Sequence, residues 1–150
     1  MDRPFAHRGF MLDVSRHFMP VPEIRRLLAG AAQCGVNRMH WHLTDDQGWR
    51  LEILKYPLLT RIGAFRGNSH FGGVSETENN CGFYTQQEVR ELVAYASSLG
   101  IEIIPEIEIP GHASAMLAAY PGMGCRRSRP DGSIVYSARI GCSARRPSAS

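Results

Sequence analysis

The sequence predicts an α/β protein whose strands form a parallel sheet. Strand-like and helix-like segments alternate along the chain, and the turns from helix to strand are short, which is the pattern of repeated strand–helix units. A doubly wound sheet and an eight-stranded (β/α)8 barrel both fit this order. No Gly-x-Gly-x-x-Gly or P-loop pattern follows a strand, which weakens the alternative of a nucleotide-binding sheet.

The first strand–helix unit is predicted at residues 8–35. Residues 8–14 are a short apolar run suited to a buried strand. Pro20 and Pro22 mark the start of a helix, and Gly35 marks its end. The apolar residues that recur at helical spacing between these points are Ile24, Leu27, Leu28, Ala31 and Ala32.

The second strand is predicted at residues 38–43. The segment 44–82 is rich in Gly, Asn and Ser, which indicates a long loop rather than a regular element. Within it, we expect a short β excursion at residues 49–53.

A second long helix begins at Thr85, a suitable N-cap residue. Glu88 lies three positions later and completes the capping-box pattern, and Gly100 ends the helix. A third strand is predicted at residues 101–109, and a further helix at residues 113–120. The order therefore contains roughly three strand–helix units.

The composition is that of a globular protein, and the sequence gives no support for a membrane span or a secretory signal. The chain has 150 residues, 43% hydrophobic and 21% charged. No apolar run approaches the roughly 20 residues that cross a bilayer, and the N-terminal residues lack the apolar core of a secretory signal. We therefore expect no membrane partner, and the sequence leaves the compartment and the oligomeric state open.

The net charge of +3 is a property of the C-terminal segment. Residues 126–150 contain six arginines and one aspartate, which leaves a charge of −2 for residues 1–125. Aromatic residues are almost absent from this basic segment, so the charge does not indicate nucleic-acid binding. We expect residues 126–150 to form an irregular, disordered Arg/Ser-rich tail after a folded part at residues 1–125.

Titratable residues cluster where two of the predicted strands end. The second strand runs into HWHLTDD at residues 40–46, and the third into EIEIPGH at residues 106–112. In parallel α/β folds, functional groups gather at the carboxyl ends of strands. Asp45 and His112 are therefore candidates for a carboxylate–imidazole relay, in which the carboxylate fixes the imidazole tautomer. The alternative is that His112 only caps the loop after Pro110.

Other polar residues allow more than one interpretation. Glu106 and Glu108 share one face of a strand, so one suits an interior ion network and the other a site. His40 and His42 form a His-x-His pattern that can hold a metal in some barrel hydrolases. Arg8 opens the first strand, either as a solvated residue or as a donor to sugar hydroxyls.

Three long motifs resemble those of family 20 glycoside hydrolases, the β-N-acetylhexosaminidases. They are HRGFMLDVSRHF at residues 7–18, NRMHWHLTDDQGWR at residues 37–50 and IPEIEIPGH at residues 104–112, in the family's order. The resemblance covers residues 5–125. It implies that the chain is the opening part, about three strand–helix units, of a (β/α)8 TIM barrel.

The resemblance also implies an activity. Such enzymes release terminal N-acetylglucosamine or N-acetylgalactosamine from glycans by a retaining mechanism in which the substrate's own acetamido group attacks, without a cofactor or metal. Asp45 and His112 resemble members of a relay that tunes the general acid, Arg8 resembles a sugar-binding arginine, and Glu108 a supporting acidic residue. We therefore expect Arg8, Asp45 and His112 to converge on one pocket.

One departure from the family pattern affects activity. The family places an adjacent Asp-Glu pair at the end of the fourth strand, and this sequence contains no Asp-Glu dipeptide. We therefore expect a truncated hexosaminidase that is inactive alone. The alternatives are a non-catalytic sugar-binding fragment that uses Arg8, and a metal-dependent barrel hydrolase that uses His40 and His42. Family relatives favour secreted, periplasmic or lysosomal locations.

Overall fold

The computed structural model describes residues 5–65, 70–71, 74–75, 80–131 and 133–137. Its strands are, in chain order, β1 (Gly9–Asp13), β2 (Arg38–His42), β3 (Thr44–Asp45), β4 (Gly48–Trp49), β5 (His70–Phe71), β6 (Val74–Ser75), β7 (Glu102–Glu106), β8 (Cys125–Ser128) and β9 (Ile134–Ser137). Its helices are α1 (Val21–Gln33), α2 (Leu58–Arg61), α3 (Gln86–Ser98) and α4 (Ser114–Ala119), and a 3-10 turn follows at Pro121–Met123.

The main sheet has three parallel strands in the order β1–β2–β7, so the predicted parallel sheet is confirmed. The register places Asp13 beside His42 and His42 beside Glu106. These three residues are the last of their strands, so they form one row at the carboxyl edge of the sheet. Strand alternation points all three side chains to the same face.

The opposite face of the sheet carries the core. Met39 and Trp41 of β2 are fully buried there, against Leu28 of α1 and Leu92 of α3. The face that carries the titratable row is more open, because Met11 is 50% exposed. The two helices therefore cover one side of the sheet only.

The two long helices begin and end for local reasons that the sequence predicts. The Thr85 hydroxyl accepts from the Glu88 amide while the Glu88 carboxylate accepts from the Thr85 amide, which confirms the capping box. Gly35 and Gly100 follow α1 and α3 with φ of 77° and 75°, a conformation that glycine adopts without strain. None of the helices in the described ranges has the length and apolar character needed to cross a bilayer.

The third parallel strand is shorter than predicted, and it ends at Glu106. The Glu106 carbonyl accepts the Leu43 amide. Two residues later, the Glu108 amide donates to the Thr44 hydroxyl at 2.9 Å instead of to a neighbouring strand. This side-chain acceptor draws the chain away from the sheet.

Part of the segment expected to be irregular is an ordered hairpin. Strand β8 pairs antiparallel with β9, so the prediction of an irregular tail is wrong for residues 126–131 and 133–137. The reason is a Pro130-Asp131 turn, in which the Asp131 carboxylate accepts the Ser133 amide at 2.8 Å. The remaining tail, residues 138–150, lies outside the described residues.

A buried arginine fastens the long loop to the end of β1. Arg50 is 0% exposed, and its guanidinium donates to five backbone carbonyls, which gives every N–H of the group a partner. The acceptors are Val14 at 3.1 Å, Ser15 at 2.9 Å, Ala64 at 2.9 Å, Asn80 at 3.2 Å and Gly82 at 3.1 Å.

We expect Arg50→Lys to destabilise the chain by about 3 kcal/mol or more, because an ammonium has three donors on one nitrogen and leaves buried carbonyls unpaired. Urea unfolding followed by circular dichroism measures this loss. Arg90→Lys is the matched control, because Arg90 is exposed on α3 and its guanidinium donates to the Gln86 side chain one turn earlier. Equal stabilities of the two variants would contradict the role of Arg50.

Candidate active site

The centre of the candidate site is the buried carboxylate of Asp45, which is 2% exposed. Its Oδ2 atom accepts from His42 Nε2 at 2.8 Å and pairs with the Arg16 guanidinium at 2.5 Å. Its Oδ1 atom accepts the Asp46 amide at 2.6 Å and lies 3.1 Å from His112 Nδ1. The predicted contact between Asp45 and His112 is therefore present.

Arg16 lies in the loop that follows β1, at the carboxyl edge of the sheet. Its guanidinium also forms an ion pair with Asp13, the last residue of β1, and its Nε donates to Gln47 Oε1 at 3.2 Å. Asp13 and Asp45 thus flank Arg16, and they hold a partly exposed cation beside the buried carboxylate.

His112 lies on the loop that follows β7, and it is half-exposed. Its φ is 49°, in the left-handed region that is uncommon for residues other than glycine. Beside it, Asp46 accepts from the amide and the hydroxyl of Ser114 at 3.0 and 2.7 Å. Burial opposes the charging of Asp46, but these hydrogen bonds outweigh it and lower the pKa of its carboxyl. The Nδ1 atom of His112 therefore faces two carboxylates, Asp45 at 3.1 Å and Asp46 at 3.9 Å.

The side chains of His42 and Glu106 meet at the ends of β2 and β7. His42 Nδ1 lies 2.9 Å from Glu106 Oε2 without the alignment of a hydrogen bond. Burial opposes protonation of His42, but its contacts with Glu106 and Asp45 outweigh it and raise the pKa of the imidazole. Desolvation likewise opposes ionisation of Glu106, but contacts with His42 and Glu108 lower its pKa.

The side chains of Glu106 and Glu108 lie close together at the end of β7, and with His42 their ligand atoms lie within 4.8 Å of one another. The contact with the Glu106 carboxyl group and the charge of that group raise the pKa of Glu108, whereas the pKa of Glu106 is lowered. The opposite shifts show that the two glutamates have different surroundings, and the assignment of one to an ion network and the other to the site stays a prediction. Glu108 is half-buried and lies on the same edge as His112.

Arg8 does not lie in this site, and the expectation that it converges with Asp45 and His112 is wrong. It precedes β1, its Nε donates to the Gly35 carbonyl at 2.7 Å, and its amide donates to Asn37 Oδ1 at 2.9 Å. Both partners precede β2, so Arg8 lies at the amino edge of the sheet. About 16 Å of strand backbone separates it from the carboxyl edge.

The residue that sequence reasoning missed is Arg16. It follows the first strand directly, in Ser15-Arg16-His17, whereas Arg8 precedes that strand. The rule that selected Asp45 and His112, functional groups at the carboxyl ends of strands, selects Arg16 when it is applied to the first strand.

Two groups of side chains have the spacing of metal ligands among the described residues. One is His42, Glu106 and Glu108, and in each group the ligand atoms lie within 4.8 Å of one another. The other is Asp45 with its neighbours Asp46 and His112. In both groups an imidazole already contacts a carboxylate, so ion pairing within the protein accounts for the clustering. His40 contacts Glu106 at 2.5 Å and is not part of either group.

The model of glycosyl hydrolase family 20, catalytic domain, matches residues 5–145. The chain therefore belongs to this family. Its members are glycoside hydrolases of the β-hexosaminidase class. The match extends past residue 125, where the sequence pattern suggested a boundary, and that division stays a prediction.

Individual relatives agree with this assignment. A β-hexosaminidase of Porphyromonas gingivalis is 51% identical over 125 residues, which are 83% of this chain and 15% of the relative. One of Vibrio furnissii is 50% identical over 123 residues, 78% of this chain and 20% of the relative. The chain thus spans at most a fifth of the length of these two curated relatives.

Solved structures show the same similarity in three dimensions. An exo-β-N-acetylglucosaminidase of Vibrio harveyi in complex with N-acetylglucosamine superimposes with a TM-score of 0.76 at 41% identity, covering 85% of this chain and 20% of that one. A β-N-acetylhexosaminidase of Bacteroides fragilis gives a TM-score of 0.70 at 46% identity, covering 79% and 23%. The family's solved structures imply a TIM-barrel fold.

We expect the raised pKa of His42 to appear in the pH dependence of stability. A group whose pKa is higher in the folded state stabilises fully below its unfolded value, about 6.5, and loses this contribution as pH rises through the folded value. His42 should therefore make the free energy of unfolding of the wild type, measured in urea, larger at pH 6 than at pH 8. His42→Gln should reduce that difference, and an unchanged difference would contradict the assignment.

Proposed function

We propose that this chain is the opening part of an eight-stranded barrel that removes terminal, non-reducing N-acetylglucosamine or N-acetylgalactosamine from glycans. Strands β1, β2 and β7 are the first three barrel strands in this proposal. The observation that carries it is the pair of contacts from Asp45 to Arg16 and to His112 at the carboxyl edge. Functional groups of barrel enzymes lie at that edge.

Each residue has a distinct role in the proposed retaining, substrate-assisted reaction. Arg16 presents a planar fork of donors that suits neighbouring sugar hydroxyls. Asp45 contacts Nδ1 of His112, so the other ring nitrogen, Nε2 of His112, is directed to the group that acts as general acid. Glu108 lies beside the same edge, and its carboxyl group supports the sugar's polar groups.

The general acid itself is not among these residues. The chain has no Asp-Glu dipeptide, so the relay of Asp45 and His112 lacks the acid that it would tune. We therefore propose that the chain contributes sugar binding and electrostatic support, and that it does not complete hydrolysis alone. No cofactor enters this proposal.

The sugar-binding role predicts a difference between two arginines. Arg16→Lys keeps the positive charge beside Asp45 but loses the bidentate fork, so we expect affinity for N-acetylglucosamine to fall about tenfold, which corresponds to roughly 1.4 kcal/mol. Arg8→Lys is the matched control at the opposite edge, and its affinity should equal that of the wild type. Titration followed by NMR chemical shifts measures both.

The reverse pattern, with loss of affinity only in Arg8→Lys, would reject the role of Arg16. Absence of N-acetylglucosamine binding by the wild type would reject the sugar-binding function of this chain.

The proposed lack of the general acid predicts no turnover of an aryl N-acetylglucosaminide by the purified chain. Release of the aryl alcohol, followed by absorbance, measures this directly. Asp45→Asn distinguishes contamination from real catalysis, since a contaminant's rate would be unaffected by the substitution. Turnover that Asp45→Asn abolishes would contradict the proposal.

A further inference from the structure

Arg16 sits in a loop, yet its backbone is held on both sides by side chains outside that loop. On one side, Asn80 Nδ2 donates to the Arg16 carbonyl at 2.7 Å, and Asn80 Oδ1 accepts the Phe18 amide at 2.6 Å. Asn80 lies more than 60 positions away in sequence, so tertiary structure brings the two segments together.

On the other side, the peptide group that joins Ser15 to Arg16 is fixed at both of its polar atoms. The Ser15 carbonyl accepts from Arg50 Nη2 at 2.9 Å, and the Arg16 amide donates to Asp13 Oδ1 at 3.2 Å. The Ser15 hydroxyl also donates to the Gly48 carbonyl at 2.7 Å. The peptide is planar, so these bonds determine its orientation.

The two clamping side chains are themselves connected. Arg50 Nη2 also donates to the Asn80 backbone carbonyl at 3.2 Å, so the buried guanidinium sets the position of the residue that holds the Arg16 carbonyl. The two peptide planes that flank the Arg16 Cα atom define the direction of its Cα–Cβ bond. Arg50 and Asn80 together therefore fix the direction in which the Arg16 side chain leaves the backbone.

We propose that Asn80 and Arg50 are positioning residues for sugar binding, which act by directing the Arg16 guanidinium. This inference rests on the proposed function, because it assigns the use of the clamp to the N-acetylhexosamine site. A long, flexible side chain binds hydroxyls selectively only when its geometry is held by surrounding bonds. The Arg16 side chain is 24% exposed, so packing does not enclose it on every side.

The chain offers a matched control at the other edge of the sheet. Asn37 makes the same two kinds of bond around Arg8: its Oδ1 accepts the Arg8 amide at 2.9 Å, and its Nδ2 donates to the Ala6 carbonyl at 2.8 Å. Asn80→Asp and Asn37→Asp both exchange an amide donor for an acceptor without changing side-chain shape. Both residues are half-buried, so the structural effects of the two changes are comparable.

The test is N-acetylglucosamine titration of the full chain, with thermal unfolding recorded for each variant. Asn80→Asp removes one hydrogen bond and places two acceptors face to face, so we expect Kd to rise about tenfold. Asn37→Asp should leave Kd unchanged at a similar loss of thermal stability. In an Arg16→Lys background, Asn80→Asp should add little, because both changes remove the same interaction.

Two results would overturn the inference while leaving the sugar-binding function intact. One is an unchanged Kd in Asn80→Asp when Arg16→Lys binds weakly. The other is an equal rise in Kd for Asn80→Asp in both backgrounds, which would mean that Asn80 acts independently of Arg16. A wild-type chain that does not bind the sugar at all would overturn the proposed function and this inference together.

Discussion

The site depends on one buried negative charge, the Asp45 carboxylate. A carboxylate removed from water is unfavourable unless charged or polar donors surround it. Here the donors come from three separate parts of the chain: His42 from β2, Arg16 from the loop after β1, and His112 from the loop after β7. The charge therefore draws three carboxyl-terminal strand ends together, and each donor is oriented by the same group.

The parallel register makes this convergence possible. Since Asp13, His42 and Glu106 occupy one row, the segments that follow β1, β2 and β7 leave the sheet side by side. Acids and bases alternate along the row, so each imidazole or guanidinium contacts a carboxylate. The more open face of the sheet beside this row carries the partly exposed Met11 and Ile104, in keeping with a chain that spans a fraction of its relatives' lengths.

Local patterns predicted most of the sheet and its helices, because their causes are local. The Thr85 capping box and the glycines after α1 and α3 act within a few residues of sequence. Arg50 carried no such signal, since its acceptors lie in segments distant in sequence and only the folded chain brings them together. The family motif and the planar guanidinium both favour Arg8 as a sugar-binding residue, although the strand direction that the same sequence predicts places it at the other edge.

A structure of the chain with bound N-acetylglucosamine tests the central claim most directly. We expect the sugar at the carboxyl edge of the three strands, with its hydroxyls within hydrogen-bonding distance of the Arg16 guanidinium and with Asp45 still in contact with His112. A sugar bound at the amino edge beside Arg8, or one that contacts neither Arg16 nor the loop of His112, would contradict the account.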